Sequence, residues 1–176
     1  MQARTIVIIF AAIVGIVSSF ARAAEPATKP ATVPAAAALH CQVPCGIYTD
    51  QLRFESMLED TKTIAKSIAQ IGELTGKMQN GELNPLTINQ ATRWVTTKED
   101  HASHIQEVIG QYFLAQRIKS DNADYSNQLI TAHKVIVAAM KTKQAADPAT
   151  ADALKAAILD LYRAYEGKEP NFGDDH

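Results

Sequence analysis

The stretch LHCQVPCGIY, residues 39–48, holds the chain's only two cysteines, Cys41 and Cys45, separated by three residues, with His40 directly before the first. Imidazole and two thiols so close in sequence can form a disulfide, bind a metal or do redox work. A disulfide here would close a very small loop and restrict the unfolded chain little. Thioredoxin-type motifs have two intervening residues and sit in an alternating strand-helix pattern, which this sequence lacks. The c-type haem signature is also missing, and no E-x-x-H pair supplies the ligands of a di-iron bundle site. A disulfide and a metal site in the segment itself remain.

His40 widens the second option if it becomes the first residue of the mature chain. A terminal histidine offers an α-amine and an imidazole, Cys41 adds its backbone nitrogen and thiolate, and Cys45 adds a second thiolate. Mixed nitrogen and sulfur donors in a plane suit Ni(II) or Cu(II), whereas two thiolates alone are few for zinc. Pro44 fixes one backbone torsion and Gly46 permits unusual ones, which fits a tight hook.

What precedes the hook supports trimming. Arg4, the apolar run IVIIFAAIVGIV at residues 6–17 and Ala21-Arg22-Ala23 read as a signal peptide with its cleavage site, over residues 1–23. The run is shorter than the roughly 20 residues of a spanning helix, so no retained membrane anchor is expected. Residues 24–39, AEPATKPATVPAAAAL, hold regular prolines and small side chains that cannot build a core, and read as a propeptide or linker removed on maturation. Export to a periplasmic or extracellular location follows, with a cytoplasmic location as the alternative.

The hook must be positioned by residues 49–176, which read as one all-α domain. Four amphipathic stretches are expected. The first spans about residues 49 or 50 to 77, with Ile64, Ile68 and Ile71 on one face, and stops near Gly76 and the Asn80-Gly81 turn. The second starts with Asn84 as cap and Pro85 at the first helical position, runs to about residue 119, and can break near Gly110. The third covers about residues 121–145 and the fourth begins at Asp147-Pro148 and ends at Gly167 and Pro170. Short connections favour an up-and-down four-helix bundle preceded by the short metal-binding hook.

The whole chain carries 17 Lys and Arg against 19 Asp and Glu, net −2. Removing the leader takes away Arg4, Arg22 and Lys29 against Glu25, so the balance becomes more negative and no nucleic-acid partner is implied. His101 and His104 are three apart with Glu107 beyond them, close enough to share a metal, although a solvated helix face is the plainer reading of His104. His133 follows an apolar stripe and is expected as a core or interface histidine. Trp94 and the Tyr112-Phe113 pair read as packing or subunit contact.

The hook resembles the amino-terminal signature of nickel superoxide dismutases, H-C-x-x-P-C-G-x-Y, at His40, Cys41, Pro44, Cys45, Gly46 and Tyr48. The resemblance implies a precursor trimmed by a maturation protease to place His40 first, a four-helix bundle and a homohexamer. It further implies one nickel ion per subunit, bound by His40 (amine and imidazole), Cys41 (amide nitrogen and thiolate) and Cys45 (thiolate), and a cis bond before Pro44. Tyr48 is then the catalytic residue that orders superoxide and water at the open face of the metal. The family's glutamate beside the axial imidazole corresponds to Glu55 in LRFES, and its arginine from the second helix falls on His101 or is served by Arg93 in TRWVTTKEDHASH. The implied activity is dismutation of superoxide to dioxygen and hydrogen peroxide by Ni(II)/Ni(III) cycling. The alternative is an exported, non-catalytic metal carrier or helical interaction protein with a Cys41–Cys45 disulfide.

Overall fold

The computed structural model describes residues 49–172. Four helices fill them: α1 (Asp50–Gln79), α2 (Pro85–Glu107), α3 (Tyr125–Gln144) and α4 (Pro148–Glu166), and α2 runs without interruption into a π-helical segment (Val108–Arg117). No strand occurs among the described residues. Each helix packs on its neighbours in sequence, and α1 also packs on α4, which closes the four into an all-α bundle.

The ends of the helices follow from their sequences. Asn84 caps α2: its side chain accepts from the backbone N–H of Leu86 and Thr87, both at 3.0 Å, while the Thr87 hydroxyl takes the Asn84 N–H. With Pro85 next, two orphan donors are satisfied and the third position needs none. Asp147 does the same for α4 through the Ala149 N–H at 3.0 Å. Gly81 (φ 94°) turns the chain after α1 and Gly167 (φ 66°) ends α4, both in the left-handed region where a Cβ is costly.

The anticipated break near Gly110 is a change of helix type instead. At Ile118, the end of the π-helical segment, the backbone N–H donates to the carbonyl of Phe113, five residues back, at 2.8 Å. The third helix begins four residues later than its sequence pattern suggests, since residues 118–124 form bends and turns.

Phe54, Met57, Ile64 and Ile68 of α1 meet Ile105, Ile109 and Phe113, Val135 and Ala139 of α3, and Leu154, Ile158, Leu161 and Tyr162 of α4 in one core. Ile71 lies at its edge, half-buried, and Leu74 continues the stripe. A lysine joins the bundle's far end: Lys98 is 3% exposed, and its ammonium donates to the carbonyls of Thr142, Lys143 and Ala145 at 2.6, 2.7 and 3.2 Å. These are carbonyls at the C-terminus of α3 that the helix itself leaves unsatisfied. No helix among the described residues is long and apolar enough to cross a membrane.

Candidate functional site

The hook residues His40, Cys41, Cys45 and Tyr48 lie outside the described residues, as do the leader and its cleavage points. What is described is the platform from which they depart. Tyr48 precedes Asp50 by two residues, and Asp50 opens α1. Because neighbouring helices alternate in direction, the start of α1, the end of the π-helical segment and the end of α4 meet at the same end of the bundle.

Asp50 ties these three together. Its Oδ1 accepts the Tyr112 hydroxyl at 2.6 Å, and its Oδ2 accepts Arg117 Nη2 at 2.6 Å and the Tyr165 hydroxyl at 2.8 Å. Burial alone would raise the Asp50 carboxyl; the bonds from Arg117, Tyr112 and Tyr165 outweigh it and hold the carboxyl below its usual range. The same burial, with the Asp50 bond and charge, pushes both the Tyr112 and the Tyr165 phenols up to about 12. The Asp50 bond also raises Arg117, so the guanidinium is permanently charged. The Arg53 guanidinium lies 5.3 Å from the centre of the Tyr112 ring, a cation–π contact on the same end.

Beneath this polar layer sits a group of rings centred on Phe54. Its centroid is 4.8 Å from Phe113 and 5.0 Å from Tyr162, edge-on to the latter, and Phe113 meets Tyr165 edge-on at 5.3 Å. Tyr112 and Tyr165 therefore have apolar bodies locked in the core and hydroxyls directed at Asp50, the usual arrangement of buried tyrosines. Tyr112 is thus packing, as its sequence context suggests, but it is also a donor in the polar layer, which the sequence does not reveal.

The remaining sequence-derived candidates separate. Glu55 is half-buried on α1 and accepts from Gln51 Nε2 at 3.0 Å, one turn from the Asp50 cluster. Arg93 is exposed on α2. His101 is committed elsewhere: its Nδ1 lies 2.6 Å from Oδ1 of Asp60, a carboxylate about 15 Å along α1 from Asp50 at 1.5 Å per residue. His104 Nδ1 lies 2.6 Å from the other oxygen of Asp60, so it is not the freely solvated side chain its position suggests. Its spacing from His101 correctly put both on one face, but the partner across the helix boundary was not readable. His133 is exposed on α3 and stands outside the core. Trp94 is half-buried.

Sequence reading passed over Asp50, Arg117 and Tyr165 as site residues. The only sequence signal was that an acidic residue follows the hook at a helix start, which by itself reads as an ordinary favourable charge at a helix N-terminus.

The family model for nickel-containing superoxide dismutase matches residues 34–169, which takes in the hook, all four helices and every residue of the Asp50 cluster. No curated protein and no solved structure matches the chain.

Proposed function

Because this chain belongs to the nickel-containing superoxide dismutase family, an oxidoreductase family with nickel as cofactor, we propose that its redox centre is assembled by an amino terminus trimmed to begin at His40. The supporting observation is that the family match begins at residue 34 and so includes HCQVPCGIY, in which every fixed position of the nickel-hook signature is filled.

In this reading His40 contributes its α-amine and imidazole, Cys41 its backbone nitrogen and thiolate, and Cys45 its thiolate. The donor set suits the metal: two thiolates and a deprotonated amide are strongly donating, as a cycle that reaches Ni(III) requires. The chemistry such a metal supplies is a one-electron couple that oxidises one superoxide to dioxygen and reduces a second, with two protons, to hydrogen peroxide. Tyr48 would order superoxide and water beside the nickel without binding it. Glu55 is the carboxylate proposed to hold the His40 imidazole; His101 has its Nδ1 engaged with Asp60 and Arg93 lies in solvent.

The Asp50 cluster gives this hook a rigid base. A carboxylate bound by two phenols and a guanidinium, on a floor of close-packed rings, fixes the first turn of α1 two residues after Tyr48. Positioning a reactive centre from a rigid element limits the loss of rate that small misplacements cause.

Maturation is part of the same proposal. Residues 1–23 act as an export signal and residues 24–39 as a propeptide, and a protease cut before His40 frees the amine. Thiolates that generate peroxide are exposed to stepwise oxidation. Assembly into a homohexamer would shield them by restricting access to small molecules.

The test compares superoxide dismutation by nickel-loaded protein in two forms, one beginning at His40 and one keeping Leu39. Activity confined to the His40 form supports the amine-dependent hook. Equal inactivity, with nickel held weakly or not at all by both, overturns it and leaves the disulfide-bearing carrier.

A further inference from the structure

Away from the Asp50 end, α1 and α2 enclose a second group of ligating side chains. Asp60 is a buried carboxylate, its side chain 9% exposed, and it accepts from His101 and His104 at 2.6 Å each, one ring per oxygen. The two histidines sit one turn apart on the same face of α2. With Asp100 they line a recess of about 350 Å³ that opens to solvent.

The chemistry of that contact fixes the rings. A carboxylate has only acceptors to offer, so the hydrogen on each neutral imidazole resides on Nδ1 and the lone pair on Nε2. Neither Nε2 has a hydrogen-bond partner among the described residues, and the ring side chains are 36% and 45% exposed. Donation of Nδ1–H to a buried carboxylate is the arrangement by which proteins orient histidine toward a metal and raise its basicity. The nearby cation Lys98 is directed at the carbonyls of Thr142 and Lys143, whereas Asp100 adds negative charge at the recess.

We propose that His101 and His104 form a second cation site, separate from the amino-terminal hook, that takes one borderline divalent transition-metal ion such as Zn(II) through both Nε2 atoms. No group of three or more His, Cys, Asp or Glu side chains among the described residues can hold a metal ion. Water therefore completes the coordination, with Asp100 as an outer carboxylate. A site with two protein ligands is open and exchangeable, unlike the closed four-ligand sites that hold zinc structurally. Imidazole donors favour nickel, copper and zinc over magnesium or calcium.

The experiment titrates Zn(II) into full-length protein whose hook is removed by Cys41→Ser and Cys45→Ser, and follows heat by calorimetry and the histidine ring nitrogens by long-range ¹⁵N NMR. One Zn(II) per chain is expected, with the Nε2 resonances of His101 and His104 shifting on binding. Adding His101→Gln and His104→Gln should abolish that equivalent. Asp60→Asn should weaken it by about tenfold or more, as losses of supporting carboxylates do. Circular dichroism confirms that each variant is helical, and the NMR readout needs no substitution at the histidines. Absence of the bound equivalent, binding that survives loss of both histidines, or unmoved Nε2 resonances would each overturn the proposal. The outcome is independent of dismutase activity.

Discussion

The carboxylate of Asp50 accepts the phenol of Tyr112 at 2.6 Å across 62 residues of sequence, linking the first residue of α1 to the π-helical end of α2. Arg117 and Tyr165 complete the cluster on the other carboxylate oxygen. The structure thereby builds a partly buried, charged and fully engaged anchor at the start of α1, two residues after Tyr48.

Asp50→Asn removes the charge that Arg117 and both phenols answer. Because the Asp50 side chain is 14% exposed, the expected loss of stability at neutral pH is on the order of 2 kcal/mol, measured by urea unfolding. The native carboxyl lies below its usual range. Its contribution is therefore fully present above the unfolded carboxylate value, roughly pH 4, and is lost as pH falls through the lower native value. The stability gap between wild type and Asp50→Asn should be flat above about pH 5 and shrink in acid. A gap that widens in acid would contradict the cluster.

Tyr112 and Tyr165 should be the late-titrating phenols. Both are pushed up to about 12, so between the ordinary value near 10 and that point the unfolded chain loses protons that the native state keeps. Stability from these phenols is present below about pH 10 and lost as pH rises through the native value. Ultraviolet titration of phenolate should show the late fraction reduced in Tyr112→Phe and again in Tyr165→Phe.

Lys98→Met should destabilise the bundle by about 2 kcal/mol, because three carbonyls at the end of α3 lose one charged donor in a buried place. Hydrogen exchange should rise first in the last turn of α3. Uniform loss of protection along all four helices would argue against this local role.

Phe54→Ala opens a cavity at the centre of the ring group, where Phe54 is fully buried. The expected cost is about 3–5 kcal/mol in thermal or urea unfolding. Leu52→Ala, on the exposed side of the same helix, should cost within about 0.5 kcal/mol.

Much of the fold is local and therefore legible. Asn84-Pro85 and Asp147-Pro148 announce helix starts because capping and the missing proline N–H act within a single turn. Gly167 announces a stop because its left-handed torsion is a property of one residue. The 3.6-residue stripe of α1 placed Ile64 and Ile68 in the core and Ile71 at its edge, since burial on a helix follows from spacing, but it did not reach Phe54, Met57 and Leu58. The family signature was legible for the same reason: its fixed positions fall within nine residues, His40 to Tyr48.

The π-helical segment was not legible, since its widening of the α2 register leaves an ordinary apolar stripe in the sequence. Nor was the relation of His104 to Asp60, nor the cluster that gathers Tyr112, Arg117 and Tyr165 on Asp50, which spans 115 residues between Asp50 and Tyr165. The sequence by itself determined that four helices form, where α2 and α4 begin and where α4 ends, and the signature that marks the family. Only the tertiary structure decided which carboxylates are buried and what they hold, because those contacts depend on the rotation and register of helices packed against one another, which no local spacing encodes.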